Sequence, residues 1–202
     1  PNRCPHRFHR RQHGATSGTS DLVPIMFPRS VTLFRLTLAL SVIGTTTIVV
    51  GQKEPTVDDL ITALQGAETD ARRDAAYALA KLGPRAKAAV PALIKTLDDK
   101  DTQIWFQSVT AIARIGPEAS EAIPALIDDL NTRDRQRRYR SGYALGMIGP
   151  AAIDPLRAAL RDDSAAIRAG AAQALGWMET AASPAIAQLV QALSDDETSV
   201  RE

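Results

Sequence analysis

The chain has 202 residues, of which 45% are hydrophobic, 4% aromatic and 23% charged. Its apolar residues are mostly Ala, Leu and Ile, which suits closely packed helices better than a sheet. The net charge of +1 joins two unlike parts: residues 1–51 hold six Arg against one Asp (+5), and from Gln52 onward 18 Lys plus Arg face 22 Asp plus Glu (−4). This excludes the broad basic footprint of a nucleic-acid binder from the body of the chain.

Residues 1–25 are rich in Arg, His, Ser and Gly and show neither a helical nor a strand period. They read as disordered, or as an extension outside a native protein whose translation starts at Met26. Arg29 and Arg35 lead into Leu36 to Val50, a run of 15 residues without a charge. A basic lead, an apolar run and a small residue at its end are the marks of a secretory signal, with cleavage expected between Gly51 and Gln52. The alternative is an uncleaved membrane anchor over residues 31–50. A run of 15 helical residues reaches only about 22 Å, against a hydrocarbon core of about 30 Å. An exported protein, periplasmic or secreted, is the expectation, with a membrane-anchored one as its alternative.

After a short linker (52–56) the sequence repeats itself. Tyr77-Ala78-Leu79-Ala80-Lys81-Leu82-Gly83-Pro84 returns as Ala111-Ile112-Ala113-Arg114-Ile115-Gly116-Pro117 and Ala144-Leu145-Gly146-Met147-Ile148-Gly149-Pro150, with Gly116 and Gly149 each 33 residues beyond the last (116 minus 83, 149 minus 116). A fourth copy, Ala174-Leu175-Gly176-Trp177-Met178-Glu179, follows after 30 (174 minus 144) and has lost the Gly-Pro. A period of this length predicts stacked units, each too small to bury its apolar face alone.

Each unit reads as two antiparallel helices. The first carries leucines at i and i+4, as in Leu60 and Leu64, Leu93 and Leu97, Leu126 and Leu130, Leu156 and Leu160, and Leu189 and Leu193, which make one buried stripe. Pro91 and Pro124 stand where the first helical turn tolerates a missing N–H. Thr56 followed by Asp59 resembles a capping box, and Asp101, Asp134 and Ser164 are placed to cap the second helix of their units. Gly83, Gly116 and Gly149 are expected to end that helix in the left-handed conformation. The units fall at 57–89, 90–122, 123–153, 154–184 and, in part, 185–202.

This pattern resembles the HEAT repeat family, and within it the short bacterial HEAT-like repeats of the phycobilisome bilin lyase type. The residues that carry the resemblance are the Pro-Ala-Leu-Ile first helix, the aliphatic-Arg pair opening the second (Ile167-Arg168, Val200-Arg201) and the Gly-Pro close. It covers residues 57–202. The resemblance implies an all-α solenoid of about four and a half repeats, curved as a right-handed superhelix with second helices on its concave side, serving as a protein-binding scaffold.

Two departures from the repeat single out candidate binding residues. The slot held by Arg72, Arg138, Arg168 and Arg201 is filled by Trp105 in the second unit. The arginines read as a ladder paired with acidic turns of neighbouring units. Trp105, with Phe106 beside it, reads either as a partner-binding anchor or as a filler between units. The second departure is Arg133-Asp134-Arg135-Gln136-Arg137-Arg138-Tyr139-Arg140. It reads as a solvated helix start in which Arg137 snorkels from an otherwise apolar slot, or as an anion site formed by Arg135, Arg138 and Tyr139.

Catalysis by familiar routes is hard to build here. His6, His9, His13 and Cys4 all precede the repeats, so the body has neither an imidazole base nor a thiol. No cofactor and no metal is expected, and the recurrent acidic pairs at unit turns read as solvated loops and caps. The expected function is a non-catalytic scaffold that binds another protein. A bilin-lyase-like or chaperone role in handling a chromophore or its carrier is the alternative the resemblance implies, and a piece of a larger envelope protein is a third.

Overall fold

The computed structural model describes residues 54–201. The expectations for 1–25, for the apolar segment of 26–51 and for cleavage at Gly51 and Gln52 lie outside these residues. Among the described residues there is no strand. The helices are α1 (Val57–Leu64), α2 (Thr69–Leu82), α3 (Val90–Lys95), α4 (Thr102–Ile115), α5 (Ile123–Asp129), α6 (Arg135–Ile148), α7 (Ile153–Ala159), α8 (Ala165–Gly176), α9 (Ile186–Ala192) and α10 (Thr198–Arg201). No helix among the described residues is long and apolar enough to cross a membrane.

Local chemistry sets the helix starts. The Thr56 hydroxyl accepts the Asp59 N–H at 3.2 Å while the Asp59 carboxylate accepts the Thr56 N–H at 3.0 Å, a complete capping box for α1. Asp101 and Asp134 accept the N–H groups at the starts of α4 and α6. Ser164 occupies the cap position of α8 but does not cap it, since its hydroxyl bonds the Asn131 amide oxygen of the preceding unit at 2.9 Å. The turns before α4, α6, α8 and α10 have their own device. Asp99, Thr132, Asp162 and Asp195 each accept the N–H two residues on, an Asx-type or Thr-type turn.

The helix ends differ from the expectation. Gly83, Gly116 and Gly149 have φ of 54°, 70° and 79°, but ψ of −128°, −133° and −140°, the mirror image of extended backbone rather than the left-handed helix. Only glycine enters that region at low cost. The chain does not pass into a loop after them. It re-enters as a 3-10 helix, over Gly83–Ala89, Gly116–Ala122 and Gly149–Ala152, with Pro in its first turn. In the fourth unit Glu179, thirty residues after Gly149, takes the corresponding place with φ of 49°.

Second helices stack in chain order, α2 on α4, α4 on α6, α6 on α8 and α8 on α10, while α1, α3, α5 and α7 each pack on the second helix of their own unit. A single cluster of buried side chains runs continuously from Leu60 to Ala185. The leucine stripe is buried in the first four units, whereas α9, which packs on the 3-10 segment Glu179–Ala185, buries none of its residues. The arginine ladder holds successive turns together. Arg72 donates to Asp99 of the next unit at 3.3 Å and to the carbonyl of Ala67 in its own turn at 2.9 Å. Arg168 grips both oxygens of Asp195 at 2.7 and 2.8 Å, and the carbonyls of Asp162 and Asp163. The Arg168 hydrogen bonds hold the Asp195 carboxyl down to about 2. The carbonyl contacts show why this slot favours arginine: its fork reaches the unsatisfied C=O groups at the end of one helix and a carboxylate of the next unit together.

Glycine and glutamate at one equivalent place give a reciprocal test. A Cβ on Gly149 would meet nothing within 4 Å, so Gly149→Ala is opposed by backbone conformation alone and should cost about 1–2 kcal/mol. Glu179→Gly should gain about 0.5–1 kcal/mol, the relieved strain less the greater freedom of unfolded glycine. Urea denaturation of the two variants against the parent measures both.

Candidate partner-binding face

The second helices carry nearly all the chemistry of the repeats. α4, α6 and α8 contain no Asp or Glu, yet they hold Arg114, Arg135, Arg137, Arg138, Arg140 and Arg168. Arg137 and Arg168 form ion pairs. Arg114, Arg135, Arg138 and Arg140 form none among the described residues. The carboxylates of these units lie on first helices, turns and 3-10 segments.

Aromatic residues collect on the same side. Tyr139 and Tyr143, one turn apart on α6, are 43% and 39% exposed, and Trp177, just past α8, is 38% exposed. Trp177 meets both tyrosines edge to face, at centroid distances of 5.7 and 5.4 Å. Gly146 makes this possible. A Cβ there would lie 2.6 Å from the Trp177 Cβ, so only glycine lets the indole sit against α6. Beside the cluster opens a groove of about 940 Å³, lined by Arg135, Arg138 and Tyr139 of α6, by Gln173 and Trp177, and by Val190 and Leu193.

The candidates read from the sequence thus separate. Arg135 and Tyr139 are exposed on the groove. Arg138 lines it too, but one Nη donates to the Thr132 carbonyl at 2.8 Å in the manner of the ladder. Phe106 is half-buried under the guanidinium of Arg140, whose Cζ lies 4.1 Å from the ring centroid. Trp105 is only 4% exposed. It is a filler between units, with no free ring face to serve as an anchor.

Arg137 also departs from expectation. It does not snorkel to solvent: its Nε donates to Asp129 Oδ1 at 2.5 Å, one Nη donates to the Leu97 carbonyl at 2.8 Å, and its guanidinium carbon lies 4.8 Å from the Trp105 ring centroid. Asp129, whose side chain is 6% exposed, also accepts from Trp105 Nε1 at 3.2 Å and from the Ser141 hydroxyl. This aspartate was not singled out in the sequence, where Asp128-Asp129 looks like a polar doublet ahead of a turn. Its place in the repeat gives the missing signal. Asp129 and Ser141 stand twelve apart, as do Thr96 and Ser108 one unit earlier, whose hydroxyls bond each other at 2.7 Å. The corresponding pair is Ala63 and Ala75 in the first unit and Ala159 and Ala171 in the fourth. Three departures, Trp105, Asp129 and Arg137, are one compensated substitution at the seam between the second and third units.

The family model for HEAT repeats matches residues 57–146 and, in a second overlapping match, residues 123–202. The chain belongs to the HEAT repeat family. The resemblance read from the repeated motifs is therefore borne out. Among solved structures, the MAST/Orbit N-terminal domain shares 17% identity over 71% of this chain and 78% of its own, with a TM-score of 0.55, a likeness of fold. The CpcE and CpcF complex of phycocyanin lyase from Nostoc sp. PCC7120 shares 26% identity over 72% of this chain and 93% of that one, with a TM-score of 0.46. A designed armadillo repeat protein in complex with the peptide (KR)4 shares 20% over 72% and 77%, with a TM-score of 0.45. No curated protein matches the chain.

Removing one member of the HEAT repeat seam network should cost more than replacing it whole. Asp129→Ala strands the Arg137 charge and should destabilise by about 2–3 kcal/mol, less than a fully buried pair because Arg137 keeps some solvent. Asp129→Thr with Arg137→Ile, which copies the Thr96 and Ile104 of the second unit, should return to within about 1 kcal/mol of the parent. Equilibrium denaturation of the single and double variants decides it.

Proposed function

We propose that this HEAT repeat chain is a non-catalytic scaffold that holds an acidic segment of a partner protein on the face built by α4, α6 and α8. One observation carries the reading. In a body with a net charge of −4 (18 minus 22), α4, α6 and α8 lack any carboxylate, and α4 and α6 present Arg114, Arg135, Arg138 and Arg140, which form no ion pair among the described residues, beside Tyr139, Tyr143 and Trp177. A patch whose sign opposes that of the rest of the body steers a partner of complementary charge. Exposed tyrosine and tryptophan add flat contact area that costs little conformational entropy on binding. His6, His9, His13 and Cys4 are the only histidines and cysteine of the chain, which leaves the repeats without the side chains most used for nucleophilic or metal chemistry.

We extend the proposal to an exported protein, on the strength of the basic lead and apolar run in residues 26–51. N-terminal sequencing of the chain from its native cell should begin at Gln52, and an intact residue 36–50 segment would remove export by cleavage.

The binding proposal is tested with end-blocked hexaglutamate and hexalysine peptides against the full chain. Hexaglutamate should bind, more weakly as salt rises, and hexalysine should not. Arg135→Ala with Tyr139→Ala should weaken the acidic peptide roughly tenfold. Equal binding of the two peptides would overturn the proposal.

A further inference from the structure

Between α4 and α6, away from the large groove, lies a small cavity of about 130 Å³ lined by Val109, Thr110, Ala113, Arg114, Arg140 and Tyr143. Resting on the binding face proposed above, we infer that this cavity is the point at which one glutamate or aspartate carboxylate of the acidic segment inserts, received by Arg140 and Arg114 together.

Arg140 is the decisive side chain. Its Nε–H is buried and has no hydrogen-bond partner, and its guanidinium forms no ion pair among the described residues. A buried donor left without an acceptor is costly, more so on a charged group. Phe106 holds this guanidinium by its face, with 4.1 Å from Cζ to the ring centroid, so only the edges, where the N–H groups point, remain for a ligand. Arg114 is fixed from behind, one Nη donating to the Ala80 carbonyl at 3.2 Å, which leaves its other donors uncommitted. Two cations therefore line one cavity while the helices that frame it contribute no carboxylate.

Size and shape select the ligand. A volume of about 130 Å³ is the space of about four waters at ~30 Å³ each, enough for a carboxylate and the one or two methylenes that carry it. The walls at Val109 and Ala113 are apolar and suit those methylenes; Tyr143 also lines the cavity, while the Thr110 hydroxyl is committed to the Phe106 carbonyl at 2.8 Å. A planar carboxylate matches the fork of a guanidinium offered edge-on. Neither feature was visible in the sequence, where Arg140 closes the arginine run and Arg114 is one variable position of the repeated Ala-x-x-x-Gly-Pro motif.

The test uses the full chain and end-blocked hexaglutamate, with hexaglutamine as the uncharged control and inorganic phosphate as a competing anion. In nitrogen-edited proton spectra the Arg140 Nε–H resonance, assigned by its loss in Arg140→Gln, should shift on addition of hexaglutamate and stay in place with hexaglutamine. Arg140→Gln and Arg114→Gln should each weaken hexaglutamate roughly tenfold, the loss of one charge-assisted contact. Their unchanged circular dichroism and thermal midpoints would show that the fold is intact, and the resonance shift in the unsubstituted protein stands without them. Binding of hexaglutamate with an unmoved Arg140 resonance and unaltered affinity in both variants overturns the carboxylate slot while the wider face survives. A shift with phosphate and none with the peptide overturns the assignment to carboxylate. Absence of any hexaglutamate binding removes slot and face together.

Discussion

Everything in this molecule depends on how closely one second helix can lie against the next. The inner side of α2, α4, α6 and α8 is made of Ala, Ser and Gly positions such as Ala75, Ala76, Ser108, Ala111, Ser141, Gly142, Ala144, Gly170 and Ala171, all buried. A Cβ on Gly142 would lie 3.4 Å from the Gly170 carbonyl oxygen, so the backbones themselves are near contact. Small residues exclude solvent here through proximity rather than bulk. Larger side chains, the leucines of the first helices and the isoleucines that end α4 and α6, fill the space behind. Because the units share one core, no single pair has to be stable alone.

That economy has a consequence for function. The inward positions of a second helix are set by its neighbours, but the outward ones are held to nothing except solubility, and substitutions there leave the stack intact. Arg114, Arg135, Tyr139 and Tyr143 occupy those outward positions. The ladder arginines do not. Arg72 and Arg168 are committed to turn carbonyls and to a carboxylate of the next unit, and this commitment separates structural cations from those available to a ligand. Within the Arg133 to Arg140 run, Arg137 faces inward, Arg138 is half committed, and Arg135 and Arg140 carry the outward charge.

Most of the fold was legible in the sequence because its signals are local. The 33-residue interval, the leucine pairs, the capping box at Thr56, the caps at Asp101 and Asp134 and the positive φ at three glycines each follow from a few neighbouring residues. What escaped was whatever depends on the register between two units. Trp105 fits its slot equally well as an anchor or as a filler until Asp129, 24 residues away, is seen to accept its indole N–H. Arg137 looks like a charge in an apolar slot until the same carboxylate is found beneath it. Ser164 has the right residue type for a cap, and lost that role because an amide oxygen of the preceding unit lies within its reach. The cavity at Arg140 needs α4 and α6 side by side before it exists at all.

The seam between the second and third units shows how a repeat protein acquires an individual face without losing its stack. An apolar slot taken by Arg137 would expel its charge to solvent or leave it unpaired, at several kcal/mol. Placing an aspartate where the neighbouring units hold Thr96 and Ala159 neutralises it. The Asp129 carboxylate then needs further donors, and Trp105 and Ser141 supply them. The ladder arginine that would have stood at position 105 is thereby surrendered, and the indole takes over its packing. The same exchange governs the outer surface above it. With the Asp129 carboxylate taken up by Arg137, Trp105 and Ser141, Arg140 forms no ion pair among the described residues, and its buried Nε–H finds no acceptor among them.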